Sequence, residues 1–422
     1  MDALIIEGPA QLKGSVDISG SKNAALPLLF SSILFDEEIR FKNVPRLWDI
    51  ETTLSLLETM GAEFSWEKDE GTISILPSIK TKMAPYEWVR RMRAGILALG
   101  PLVAKYGEAK VSLPGGCAIG ARPVNFHIDA MKQMGISVEV EQGYIKAQVP
   151  KRISGAHIVF PQVTVTGTEN LMILACHAEG ATRIENAAQE PEIVALGEVL
   201  NRCGAKISGL GTPVLEIEAR RLNPPVNPIS IPPDRIETGT WISASVASRS
   251  ELLIRNCDSA QLTSIIQAYR RLGTGIDVLS DGAQMKIRPP DRYEALELET
   301  APYPGFPTDM QAQMLANLCL AWGKSRLRET IFENRFMHVA ELRRLGAKIS
   351  VQGNVAEVDG PSILQGAPMM ATDLRASASL IVAALSAHGQ TKISRIYHLD
   401  RGYQRLDRKL SALGARVTRI IE

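Results

Sequence analysis

Two hydrophobic periods alternate along this chain. Stretches with apolar residues every three or four positions have the helix period, and stretches with apolar residues at every second position have the strand period. Residues 50–60 carry Ile50, Leu54, Leu57 and Met60 on one face, and residues 193–203 repeat the pattern with Ile193, Leu196, Val199, Leu200 and Cys203. Each such helix ends in an apolar residue, a glycine and a small or β-branched residue. The triplet occurs six times, as Met60-Gly61-Ala62, Met134-Gly135-Ile136, Cys203-Gly204-Ala205, Leu272-Gly273-Thr274, Leu345-Gly346-Ala347 and Leu413-Gly414-Ala415. The interval between glycines is about 70 residues throughout, the mark of a repeated structural unit. Glycine at this place ends a helix in a left-handed conformation at no steric cost.

After each triplet comes an alternating strand, such as 205–208 or 347–351, then a second strand and a Pro/Gly-rich bend. A second, more apolar helix is predicted over 23–34, 92–105, 169–178, 238–247, 309–321 and 374–387. The unit therefore reads βαβαββ, and six of them make an α/β protein built by duplication. The sixth is incomplete, because strand 416–420 meets the C-terminus without a following strand. Segments 4–6 and 12–16 carry the missing pattern, so residues 1–21 are expected to pair with the C-terminal half. The Pro-rich run from Asn223 to Pro233 is the best linker. Two three-unit domains follow, residues 22–231 and residues 1–21 plus 232–422, joined by two thin connections that suit a hinge.

Composition narrows the function classes. In 422 residues, 47 Lys plus Arg balance 46 Asp plus Glu for a net charge of +1, which argues against a nucleic-acid binder. Apolar content of 45% and charged content of 22% suit a globular chain. The N-terminus lacks a basic signal-peptide region, and no apolar run is long enough to span a membrane, so a cytoplasmic protein is expected. The five cysteines, Cys117, Cys176, Cys203, Cys257 and Cys319, form no CxxC pair, and neither a disulfide framework nor a metal site is expected.

Candidate chemistry gathers where helices begin. Second helices open at Ser21-Lys22-Asn23, Arg91-Met92-Arg93, Gly167-Thr168-Glu169, Glu237-Thr238, Thr308-Asp309 and Thr372-Asp373-Leu374-Arg375. First helices open after Gly120-Ala121-Arg122-Pro123, Glu190-Pro191-Glu192, Glu333-Asn334-Arg335 and Asp400-Arg401-Gly402. Capping accounts for any one Ser, Thr or Asp here, but caps need no arginine. If the units are equivalent, these openings lie at one end of each domain and form a cleft for a multiply charged anion. Glu190, Glu192, Asp234 and Glu237 are expected to pair with arginines there, and His127, His177, His338 and His398 to be structural. The glycine-rich segment from Leu113 to Pro123 holds Cys117. It is either a mobile surface loop with an incidental thiol or a lid that brings Cys117 near Arg122, where cationic surroundings tune the thiol. The other four cysteines lie in apolar patterns and read as core residues.

At these residues the chain resembles the UDP-N-acetylglucosamine 1-carboxyvinyltransferase family. The matching motifs are Gly20 to Pro27, Leu113 to Pro123, Pro233 to Thr240, Phe306 to Gln313, Phe332 to His338, Ala371 to Ser379 and Ile396 to Tyr403. The resemblance implies two inside-out α/β barrel domains of three units each. It also implies an addition–elimination reaction that uses no metal or organic cofactor, in which the carboxyvinyl group of phosphoenolpyruvate passes to a sugar hydroxyl at the first committed step of peptidoglycan synthesis. On that resemblance Cys117 is the general acid that fosfomycin alkylates, and Asp309 is the candidate base. Lys22, Arg122 and Arg401 surround phosphoenolpyruvate, with Arg335 and Arg375 as further bases of the site. Asn23, Arg93, Arg122, Pro123, Val124, Asn125, Phe126, Gln162, Val163, Thr164, Val165 and Ile331 match positions that contact the nucleotide sugar. Gln162 stands where some members carry lysine, Asn125 where some carry aspartate and Leu97 where some carry tryptophan. The expected partners are these two small molecules, with no nucleic acid, membrane or obligate protein partner. The rivals are 3-phosphoshikimate 1-carboxyvinyltransferase, whose family lacks the Pro-Gly-Gly-Cys segment, and a non-catalytic UDP-sugar-binding paralogue.

Overall fold

In the computed structural model, which describes residues 2–115 and 124–421, the alternating periods produce an α/β fold with mixed sheets. Among the described residues there are six four-stranded sheets, and all six share one topology. In the sheet of Met83–Ala84, Glu108–Ser112, Tyr144–Gln148 and Ser137–Glu141, the first two strands are parallel and the other two pairings are antiparallel. The strand period turns Ile145 and Ala147 into the core and leaves Gln148 outside.

The glycine triplets are six copies of one helix stop. Gly61, Gly135, Gly204, Gly273, Gly346 and Gly414 all have positive φ, from 84° at Gly135 to 113° at Gly61. In each copy the glycine N–H bonds a carbonyl three residues back, and the next N–H bonds one five residues back. At the third copy these bonds are Gly204 N to Asn201 O and Ala205 N to Leu200 O, both 3.0 Å. Carbonyls that the helix leaves without partners are satisfied this way.

Two compact units emerge among the described residues. One is made of residues 20–115 and 124–232, the other of residues 2–19 and 233–421. Each has its own hydrophobic core. The second unit takes in the N-terminus strand by strand. Asp2–Gly8 lies between Gly389–Ser394 and Arg416–Ile421, antiparallel to both, and Ser15–Asp17 runs parallel to Leu252–Arg255. The sixth sheet thereby gains the strand that its own segment lacks.

In that unit, helices Arg235–Ala247, Gln311–Leu318 and Leu374–Ser386 pack on one another and are buried almost all round. Their polar residues bond internally. Asn317 Nδ2 donates to Ser243 O at 3.1 Å, and Gln313 Nε2 reaches both Thr240 Oγ1 and Tyr403 Oη at 3.1 Å. Such burial explains where the periodicity placed helix starts too late. The helix expected over 238–247 begins at Arg235, and the one expected over 169–178 is Val165–Ala175. Asp234 and Thr164 cap these helices, and the polar first turns, which look like loop in sequence, are helical. The stretch 92–105 divides into a 3₁₀ helix Arg93–Ala98 and an α-helix Leu99–Tyr106. Pro101 lacks an N–H and fits only the first turn of the new helix.

Candidate active site

The openings of the buried helices in the second unit hold a charged cluster. Asp309 is in the 3₁₀ turn Thr308–Met310, which leads into Gln311–Leu318. Arg335 Nη2 donates to Asp309 Oδ1 at 2.8 Å, and Arg375 Nε donates to Oδ2 at 3.0 Å. Both arginine side chains are 4% exposed, whereas that of Asp309 is 29% exposed. The carboxylate is therefore the part of the trio that solvent or a ligand can reach. Charge-assisted bonds from two sides fix its orientation. Burial works against the Arg375 charge, yet Asp309, Tyr403 and Asp234 more than offset it and hold the guanidinium above its ordinary value. The Arg375 guanidinium also stands 5.3 Å from the centre of the Tyr403 ring.

Asp373 caps the helix that carries Arg375, its Oδ1 accepting from the N–H groups of Arg375 and Ala376 at 3.0 Å each. Nearby, burial pushes the His338 imidazole down to about 4; Asp373 raises it and Arg335 lowers it. His398 is lowered too, first by burial and then by the charge of Arg401, which ends the 3₁₀ helix Ile396–Arg401. Asp309, Arg335, Arg375 and Arg401 thus share one region of this unit, with two histidines whose surroundings disfavour their charged forms. Asp234 supports the Arg375 charge, as the sequence led us to expect, whereas the recorded partners of Glu237 include a lysine where an arginine was expected. Asp234 Oδ1 caps its helix, and Glu237 binds Lys409, Ser19 N–H and the Trp241 indole.

In the first unit, Lys22 opens helix Lys22–Ser31 beside half-buried Asn23, with Ser21 as its cap. Lys22 Nζ lies 3.2 Å from Asp49 Oδ2, a pair with side chains only 13% and 5% exposed. Arg93, Asn125 and Val165 open three elements that a buried polar knot ties together, with Val124 and Thr164 just before the last two and Phe126 in the first turn of its helix. His127 Nδ1 is 3.0 Å from Asn170 Nδ2, Asn170 Oδ1 accepts from Gly100 N–H at 2.9 Å, and Asn170 Nδ2 also reaches Ile96 O at 3.0 Å. Burial first and Arg93 second push His127 down to about 4. This knot joins the 3₁₀ helix of Arg93, helix Asn125–Gln133 and helix Val165–Ala175. Val163 is half-buried and Gln162 exposed just before the last of these.

Cys117, Arg122 and Pro123 lie outside the described residues. The remaining cysteines are buried, and burial pushes Cys176 and Cys319 up to about 12 and Cys203 and Cys257 up to about 11. No group of His, Cys, Asp and Glu side chains among the described residues is arranged to hold a metal ion. Two contributors escaped the sequence reading. Glu329 looks like one more solvated charge at the end of a basic strand but is 2% exposed, and Tyr403 is fully enclosed beside Arg375. The inward parity of residue 329, two positions beyond buried Leu327, was the local signal for the first.

Known proteins resemble this chain along nearly its whole length. Residues 6–410 match the EPSP synthase (3-phosphoshikimate 1-carboxyvinyltransferase) family. The UDP-N-acetylglucosamine 1-carboxyvinyltransferase of Desulfovibrio desulfuricans is 50% identical over 420 residues, covering 99% of each chain. That of Thermodesulfovibrio yellowstonii is 50% identical over 422 residues, covering 100% of each. The chain belongs to the UDP-N-acetylglucosamine 1-carboxyvinyltransferase family. Among solved structures, the enolpyruvyl transferase NikO from Streptomyces tendae matches with a TM-score of 0.89 at 24% identity, covering 99% of this chain and 98% of that one. EPSP synthase from Acinetobacter baumannii matches with a TM-score of 0.78 at 14% identity, covering 100% of each. These two show that the chain shares its fold with solved enolpyruvyl transferases. Identity at the 50% level along the whole length is what separates its family from theirs.

Proposed function

We propose that this chain transfers the carboxyvinyl group of phosphoenolpyruvate to the 3-hydroxyl of UDP-N-acetylglucosamine, releasing phosphate, in the cytoplasmic pathway to peptidoglycan. The observation that carries this reading is half identity over the full length with proteins named for that reaction. In the addition step the sugar oxygen bonds C2 of phosphoenolpyruvate while C3 gains a proton. In the elimination step a proton leaves C3 and the C2–O bond to phosphate breaks. Asp309 accepts the hydroxyl proton, and its exposed edge between two buried arginines supports that role. Cys117 delivers the proton to C3. Lys22, Arg122 and Arg401 hold the phosphate and carboxylate, whose nearly three negative charges call for several cations. Asn23, Arg93, Arg122 to Phe126, Gln162 to Val165 and Ile331 receive the nucleotide sugar.

Buried helices in the middle and six sheets of one topology support reading each unit as an inside-out α/β barrel of three repeats. No protein partner enters this scheme. The test is phosphate release from phosphoenolpyruvate with each acceptor in turn. Turnover with UDP-N-acetylglucosamine and none with shikimate 3-phosphate is expected. Turnover only with shikimate 3-phosphate, or with neither acceptor, would overturn the proposal.

A further inference from the structure

Glu329 directly follows strand Gly323–Arg328, whose outward positions are basic, and yet its own side chain is buried. A carboxylate out of water is costly unless its lone pairs are used. Here both oxygens are used. Oε1 accepts from Ile331 N–H at 2.9 Å and from Phe332 N–H at 3.2 Å, and Oε2 accepts from Thr308 Oγ1 at 2.9 Å. The backbone around it is equally tied. Glu329 N–H donates to Asn354 O at 2.8 Å, and Asn354 Nδ2 donates to Glu329 O at 3.1 Å. Thr330 exchanges two bonds with Thr300, N–H to Oγ1 at 3.0 Å and Oγ1 to O at 2.6 Å.

Residue 329 is therefore a fixed point from which one side chain holds two separate segments. Thr308 precedes Asp309 in the chain, and residues 331 and 332 form the loop that leads to Arg335. Arg335 returns to Asp309 Oδ1, so the ties form a closed circuit through Thr308, Asp309, Arg335, the 331–332 loop and Glu329. A surface loop needs no buried charge to stay in place. A site whose base and sugar-binding backbone must keep a fixed separation gains from one.

We propose that Glu329 is a positioning residue that sets Asp309, through Thr308, and Ile331 in one rigid frame. It touches neither substrate and acts only through those residues. This rests on the proposed function, in which Asp309 takes the sugar proton and Ile331 meets the nucleotide sugar. The two ties predict separable effects. Thr308→Val cuts only the tie toward Asp309, so kcat should fall about tenfold while KM for UDP-N-acetylglucosamine stays within about twofold. Glu329→Ala cuts both ties, so kcat should fall about ten- to hundredfold and KM for the nucleotide sugar should rise, with KM for phosphoenolpyruvate moving least. Glu329→Gln should recover most of the loss, since an amide oxygen can serve the two N–H groups and an amide N–H can bond Thr308 Oγ1.

The double variant Thr308→Val/Glu329→Ala should be no slower than Glu329→Ala alone, because both remove the same bond. Amide exchange at Ile331 and Phe332, read by mass spectrometry on the whole protein, should quicken at least tenfold in Glu329→Ala and stay unchanged in Thr308→Val. Unchanged kcat in Thr308→Val, additive losses in the double variant, or no rescue by glutamine would overturn the proposal. So would unchanged exchange in Glu329→Ala. A native protein without transferase activity would instead sink the proposed function, and the exchange rates would still decide whether Glu329 anchors the loop. Should Glu329→Ala fail to fold, Thr308→Val and Glu329→Gln carry the same decision.

Discussion

At the scale of single residues, the chain surrounds functional charge with polar groups that cannot themselves ionise near neutral pH. His127 shows this most plainly, held down to about 4 by burial and by Arg93. Its sign follows from linkage. The unfolded histidine takes up a proton near its ordinary value of about 6.5, the folded one only near 4, so stability is complete above about 6.5 and is lost as pH falls toward 4. The loss per histidine is at most roughly 1.4 kcal/mol per pH unit. His338, also down to about 4, adds a second contribution. Denaturant unfolding at pH 7, 6 and 5 should show a falling midpoint, and His127→Gln should fall less steeply. Equal slopes in the two proteins would contradict the assigned cause. The His127 knot was not legible from residue patterns. The repeat did place Asp309, Arg335 and Arg375 among helix openings at one end of a domain, but with 26 and 66 positions between partners it could not say which side chains meet. Glu329 stayed hidden because a carboxylate at a strand's end reads as a solvated charge, although its position continues the inward parity of Ser325 and Leu327.

At the scale of elements, the six helix stops were readable before any coordinates, since positive φ at a helix end selects glycine for a local reason. Their surroundings were not readable, and these should rank the cost of replacing them. A Cβ on Gly61 would stand 2.7 Å from Ser78 O and 2.8 Å from Lys80 N, while one on Gly414 would meet Gln11 O at 3.6 Å. Gly414→Ala should therefore cost only the backbone strain, about 1–2 kcal/mol. Gly61→Ala should cost clearly more, because backbone atoms must move as well. Chemical denaturation of both variants checks the order, and the reverse order would mean that close approach of backbone atoms does not set the cost. Helix starts were harder to read than helix ends. Caps such as Asp234 and Thr164 precede turns whose buried polar residues carry no apolar period, so the period began late.

At the scale of the whole chain, the two cores are unequal in what they require. The core of residues 20–115 and 124–232 draws on one continuous stretch of sequence, and its last strand, Ile229–Ser230, pairs with Ile39–Lys42 of the same stretch. The other core needs Asp2–Gly8 and Ser15–Asp17 from the far end of the chain. Residues 20–232 alone should unfold cooperatively in a circular-dichroism melt. Residues 233–422 alone should not, until a peptide of residues 1–19 is added. A cooperative melt without the peptide would show that the N-terminal strands are dispensable.

That borrowed strand also sets an order in time. On the ribosome Asp2–Gly8 emerges well before both of its neighbours in the sheet, Gly389–Ser394 and Arg416–Ile421. At synthesis rates of about 5–20 residues per second it waits roughly 20–80 s with its backbone donors and acceptors unpaired. Meanwhile the continuous unit can close on itself. The nascent chain thus carries an apolar β-edge until those partners are made, the kind of segment that seeks a neighbouring polypeptide. Its guard is electrostatic: Glu7 and Asp2 toward either end of the strand charge that edge until Gly389–Ser394 and Arg416–Ile421 cover it.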